Sequence, residues 1–173
     1  LEVESRLELD EYVRIRHIAS LSRWLNDTPA RFGLHVTDLV YGCMRYAKWV
    51  LEARNKMVDT RNIDEAGLTR LAIGKLLDTI SLGDWHHVDM VYTGSGFELF
   101  GQIDDIVYAG HLNEDSKLII VDKKTIEGVP PKMVHSHYAN QVEMYIAMLM
   151  SGADITGIEY SRIPEEKLRD YIS

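Results

Sequence analysis

Apolar residues recur at three- and four-residue steps through the first half of the chain, then give way to runs and alternation. Within residues 1–25, Ile15, Ile18, Leu21 and Leu25 keep helical spacing and predict a first helix. The stretch NDTPARFG ends it with Pro29 and Gly33. Thr37 reads as the N-cap of a second helix, with Val40, Cys43, Met44, Ala47, Val50 and Leu51 as its apolar face. A third helix is predicted from about Asp64 to Ile80, carried by Leu68, Leu71, Ala72, Leu76 and Ile80.

The texture then changes. VDMVYT and FELFGQIDDIVYA read as two strands joined by a Gly-Ser-Gly turn. After GHLNEDSK comes a third strand, LIIVDKKT. VPP interrupts, and a fourth helix runs from about Val134 to Met150. ITGIEYSRI is a last strand and PEEKLRDYI a last helix opened by Pro164. Helices, a three-strand meander, a helix, a strand and a helix make a mixed α/β (α+β) chain. We read residues 1–173 as a single domain, with a helical N-terminal part over 1–60 and a core over 61–173.

Composition narrows the class. With 46% hydrophobic and 27% charged residues, the chain reads as an ordinary soluble globular protein. No apolar run approaches the roughly 20 residues of a membrane helix, and no basic-then-apolar leader is present, so no membrane association is expected. The one cysteine, Cys43, excludes an internal disulfide framework and suits a reducing cytoplasm. A net charge of −8 argues against a general nucleic-acid coat protein while leaving room for a local basic channel. Acid is concentrated in LEVESRLELDEY, whereas Lys117, Lys123, Lys124 and Lys132 cluster around the third strand.

That strand poses the chemical question, because LIIV runs directly into Asp122, Lys123 and Lys124. Alternation puts Leu118, Ile120, Asp122 and Lys124 on one face, with Lys123 and Thr125 on the other. By itself the Asp122/Lys124 pair reads as a cross-strand ion pair at a sheet edge. The preceding strand adds Asp104 and Asp105 within apolar surroundings, where carboxylates must be paired, protonated or bound to a cation. A bulge or strand end that lets both reach solvent is the alternative. Oxygen-only donors suit Mg²⁺ or Mn²⁺, and a lysine beside such an ion can hold a water and offset charge on a phosphate. On the third helix, Gly74 and Asp78 are four residues apart on one face, near the apolar stripe. On the fourth, Gln141 and Tyr145 lie one turn apart beside the expected core stripe of Val142, Ile146 and Leu149. They suit either bonds within the helix or a grip on nucleic acid.

Taken in order, these residues resemble the motifs of the PD-(D/E)XK nuclease superfamily, in its RecB-like branch with CRISPR-associated exonucleases and phage or viral relatives. Gly74 to Asp78 stands at the family's G-x-x-x-H, GQID with Asp104 at G-x-x-D, DKK with Asp122 and Lys124 at (D/E)-x-K, and QVEMY at Q-x-x-x-Y. HVTDLVYGCMRYAKWV also resembles an early helix of the family through Thr37, Cys43 and Arg45. The resemblance spans roughly residues 36 to 162.

It implies a restriction-endonuclease-like mixed sheet flanked by helices, and metal-dependent hydrolysis of DNA, expected at single-stranded ends. Asp104, Asp122 and Lys124 are its implied catalytic residues. Asp78, Asp104, Asp122 and the Lys123 backbone carbonyl are its implied metal ligands, for Mg²⁺ or Mn²⁺. Gln141, Tyr145, Gly74 and Arg45 are its implied DNA contacts. Its implied partners are single-stranded DNA, a second copy of the chain, and recombination or CRISPR proteins.

Two departures stand out. Asp78 replaces the family histidine, and we expect it to serve as a third protein ligand, or to stand one water away from the metal, with an oxygen donor in place of imidazole. An iron–sulfur cluster, which takes four ligands, is not expected with Cys43 alone, and Cys43 reads as a small buried hydrophobe. His86 and His87 are adjacent, so in a strand they would face opposite ways and chelate poorly; His135 and His137 precede the fourth helix. Two other readings are a catalytically inactive nuclease fold that binds DNA or protein, and a structural α/β domain whose acids form ordinary ion pairs.

Overall fold

A computed structural model of the chain describes residues 33–40, 42–55, 65–94, 96–110, 118–126 and 132–172, with the isolated positions 11, 15, 16 and 18. The expected first helix lies outside the described residues except at those four positions, which are helical. VPP and most of GHLNEDSK also lie outside them. The chain divides into two compact units, Leu1–Arg31 with Arg61–Thr79 and Phe32–Thr60 with Ile80–Ser173.

The second unit holds, in chain order, β1 (Leu34–His35), α1 (Val36–Leu39) and α2 (Met44–Asn55). The helix α3 (Glu65–Asp78) belongs to the first unit. There follow β2 (Trp85–Gly94), β3 (Phe97–Tyr108), β4 (Leu118–Val121), α4 (Ser136–Met150), β5 (Asp154–Ser161) and α5 (Glu165–Ile172). No helix among the described residues is long and apolar enough to cross a membrane.

Five strands make one mixed sheet. β2 pairs antiparallel with β3 from Trp85↔Ile106 to Gly94↔Phe97, and with β5 on its other side. The turn between β2 and β3 uses Gly96 at φ +89°, a left-handed conformation that glycine adopts without steric cost. The remaining edge of β3 is shared. β1 pairs parallel along Leu99 and Phe100, whereas β4 pairs antiparallel from Asp105 to Tyr108. Residues 101–104 fall between these two partners, so Asp104 stands where the edge forks.

Regular alternation is interrupted at one level of the sheet. Ile103 and Ile106 are three residues apart yet both are fully buried in the same core, as are Trp85 and Val88 on the facing strand. The interruption is at His87, at φ +49° the one described non-glycine residue with a positive φ. Its neighbours pair as His86↔Asp105 and Val88↔Ile103, which sets His87 opposite Asp104. A left-handed residue rotates its peptide planes against the pleat, so the inward side changes parity there.

The core joins these strand residues to Tyr145, Met148 and Leu149 of α4, Ile155 of β5 and Leu168 of α5. The buried stripe of α4 is therefore Gln141, Tyr145, Met148 and Leu149. Ile146, expected in the core, is 42% exposed. A purely apolar pattern misplaces this face because its first two members carry polar atoms that find partners inside.

The second expected helix is two helices. Thr37 lies within α1, whose N-cap is His35, and Gly42 at φ +66° separates α1 from α2. Cys43 and Met44 therefore fall off the apolar face and are exposed. Ala47, Val50 and Ala53 are the buried positions of α2. On α3 Ala72 is buried but Leu71 and Leu76 are exposed, because apolar residues surround this helix rather than line one side.

A charged clamp holds α1 to α2. Asp38, almost fully buried, accepts both guanidinium nitrogens of Arg54 and the His35 amide at 2.9 Å. Arg54 also donates to the Gly33 carbonyl at 3.2 Å, fastening the start of β1. Cutting Arg54 back to Ala strands a buried carboxylate, so Arg54→Ala should lose about 3 kcal/mol of unfolding free energy in urea titration. An unchanged midpoint would show the clamp to be energetically idle.

Candidate functional site

Asp104, Asp122, Lys124, Gln141 and Tyr145 come from β3, the tip of β4 and α4. The pairing Asp105↔Val121, carried one step further, sets Asp104 opposite Asp122. As β4 leaves the sheet, the Lys123 amide donates to Asp104 Oδ2 at 2.6 Å, so the backbone after Asp122 is tied to the Asp104 carboxylate. The Asp122 side chain is 4% exposed and lies 2.8 Å from Lys124 Nζ. Its Oδ1 also accepts from Gln141 Nε2 at 3.1 Å. Gln141 Nε2 donates in turn to Tyr145 Oη at 2.8 Å. Gln141 and Tyr145 are buried, with Gln141 bonded to both Asp122 and Tyr145. Lys124 stacks its ammonium 5.5 Å from the centre of the Tyr138 ring, which helps hold it over Asp122.

Lys123 turns the other way. Its Nζ lies 3.2 Å from Asp105 Oδ2 and donates to the Ile80 carbonyl at 3.0 Å. Asp105 has no solvent exposure. Its Oδ1 accepts from the Leu82 and Gly83 amides, both at 3.2 Å, and meets His86 Nδ1 at 2.9 Å. The adjacent acids of GQIDD thus separate into two settings: Asp105 is locked in an ion-paired knot, and Asp104 faces the β4 tip. Burial pushes the Asp105 pKa up, but His86, Lys123 and the Gly83 amide outweigh it and hold the carboxyl below its ordinary 3.8.

The donor set at Asp104 and Asp122 is oxygen only and comes from two facing backbones, which fits a small hard cation such as Mg²⁺ or Mn²⁺. A second donor set lies nearby in the sheet. His86, His87 and Glu159 form a group able to hold a metal ion, with one ligand atom from each within 4.8 Å of the others. The expectation that His86 and His87 point apart is corrected here: their rings stack at 3.9 Å and 22°. Left-handed backbone at His87 cancels the alternation that would have parted them. Glu159 carries no local motif, and only strand pairing across 72 residues brings it to His87.

Gly74 and Asp78 belong to α3 in the first unit, where Asp78 is the last helical residue and partly buried. Leu71, taken from its spacing to mark the buried side near Asp78, is exposed. Arg45 is exposed at the start of α2. The single cysteine, Cys43, is one ligand where an iron–sulfur cluster takes four. Comparison with family models, with curated proteins and with solved structures returned no match to this chain.

The depressed pKa of Asp105 has a defined sign for stability. Its contribution is complete above pH 3.8 and is lost as pH falls through the lower folded value. Asp105→Asn should cost about 3 kcal/mol near neutral pH, since it leaves Lys123 and His86 without their carboxylate. The gap between wild type and variant should close in strong acid. Denaturant titrations across pH 2–7 measure it, and a gap that stays constant with pH would remove Asp105 from the acid response.

Proposed function

We propose that the chain is a divalent-metal-dependent nuclease that hydrolyses DNA phosphodiester bonds, with single-stranded ends as its substrate. The observation that carries this reading is the nearly buried Asp122, held between Lys124 and Gln141 and set opposite Asp104 across β3 and β4. A nearly buried carboxylate within reach of a lysine, facing a second carboxylate on the next strand, is more than a surface ion pair requires. It supports a site built to concentrate oxygen donors and one cation at a single point. The resemblance of GQID, DKK and QVEMY to nuclease motifs points the same way.

In this reading the work divides by residue. Asp104 and Asp122 would hold a Mg²⁺ or Mn²⁺ ion, which when bound supplies positive charge for the phosphate and lowers the pKa of water. The Lys123 amide fixes the Asp104 carboxylate, and Gln141, braced by Tyr145, fixes that of Asp122. Lys124, 30% exposed at its side chain, orients the attacking water and offsets charge developing on the phosphate oxygens. The Lys123 side chain keeps the tip of β4 in place through Asp105, which leaves its backbone carbonyl as the part able to serve the metal.

Labelled single-stranded DNA should be degraded in Mn²⁺ and left intact in chelator. Lys124→Ala should slow cleavage roughly 10²-fold or more while Mn²⁺ binding, read by calorimetry, is retained. Asp104→Asn and Asp122→Asn should lose both. Binding of Mn²⁺ and DNA without any cleavage would identify a non-catalytic relative of the fold, and full turnover in Lys124→Ala would reject the assigned role.

A further inference from the structure

His87 is the one described non-glycine residue held at positive φ. For an L-residue such backbone is unfavourable, and outliers of this kind gather at functional sites. Here it brings the His87 ring onto His86 and its Nδ1 against Glu159 Oε2 on the neighbouring strand. A simple surface ion pair needs neither the unfavourable backbone nor the second histidine.

His86 is 4% exposed and oriented from behind. Asp105, which already accepts two backbone amides and faces the Lys123 ammonium, is an acceptor, so His86 Nδ1 donates to it. In the neutral ring this leaves Nε2 with its lone pair. A carboxylate behind an imidazole, fixing its tautomer and ring plane, is the usual support of a metal-binding histidine.

We propose that His86, His87 and Glu159 bind a zinc-class divalent cation through two imidazoles and one carboxylate, leaving one coordination position open. Two nitrogens and an oxygen suit Zn²⁺ or Co²⁺ better than the Mg²⁺ expected of an oxygen-only pair. Bonds of about 2.0–2.1 Å in a tetrahedron place ligand atoms roughly 3.3 Å apart. The present donors, within 4.8 Å of one another, reach that spacing by small rotations of side chains. Glu159, 67% exposed at its side chain, has the room to make most of the adjustment. The site uses neither Asp104 nor Asp122, although His87 sits in the register slot opposite Asp104.

The test is titration of the full chain with Zn²⁺ by calorimetry and with Co²⁺ by visible absorption. The first, tightest equivalent of either metal should bind saturably, and Co²⁺ should give the intense ligand-field bands of a low-coordinate nitrogen and oxygen site. Glu159→Gln alters an exposed residue, and His87→Asn places an amide that tolerates left-handed backbone, so both variants should keep their fold in metal-free melts. Each should weaken Zn²⁺ binding by at least about tenfold, whereas Asp104→Asn should leave it unchanged. Absence of saturable binding, or affinity unchanged in either of the first two variants, would overturn the proposal. Loss of Zn²⁺ binding in Asp104→Asn would overturn it too, by assigning the metal to the carboxylate pair.

Discussion

A carboxylate with no access to water must find its counter-charge and its donors inside the protein, and Asp105 organises the second unit by doing so. It draws the Leu82 and Gly83 amides onto the end of β3, fixes the ring of His86 on β2, and anchors Lys123 at the tip of β4. Three separate segments are thereby set against one atom group. With Lys123 committed to Asp105, the residues on either side of it, Asp122 and Lys124, turn the opposite way toward α4. The electrostatic knot on one side of the strand determines what the other side can present. In a low-dielectric interior such a knot is costly to leave half-satisfied, which gives it a single arrangement.

The two donor sets inherit their difference from this layout. On the α4 side stand carboxylate oxygens and an ammonium. On the β2 and β5 side stand imidazole nitrogens, with Asp105 as the buried support of one of them. Asp104 and Asp105 are adjacent in sequence yet serve these different neighbourhoods, because successive strand residues face opposite ways; the left-handed backbone at His87 acts on β2 instead, where it brings two adjacent histidines together. One left-handed residue is enough to change which side chains meet.

Much of this was legible in the order of residues, and for physical reasons. The meander from β2 to β4, the helix α4 and the strand and helix that follow each carry a strong period bounded by Gly or Pro. Asp122 and Lys124 emerge together because alternation is a local rule, whereas Gln141 reaches Asp122 only through the packing of α4. What escaped depends on neighbours distant in sequence or on single backbone angles. Asp38 gave no sign that it would be buried under Arg54, sixteen residues on. A glycine at φ +66° turned one expected helix into two and carried Cys43 out to solvent. Nor does any local pattern announce left-handed backbone at a histidine, so the stacking of His86 on His87 could not be read in advance.

The hairpin of β2 and β3 also bears on how the molecule reaches its fold. Its strands are joined by a tight glycine turn and pair residue by residue over nearly their whole length, so their contacts close over short stretches of chain. Loop-closure entropy rises with the length of chain enclosed, which favours such pairings early and distant ones late. His86 can meet Asp105 as this ribbon forms, whereas Glu159 must wait for β5 to cross from beyond α4. On that ground the His86–Asp105 contact, closed within the ribbon, is favoured ahead of the His87–Glu159 contact, which encloses 72 residues.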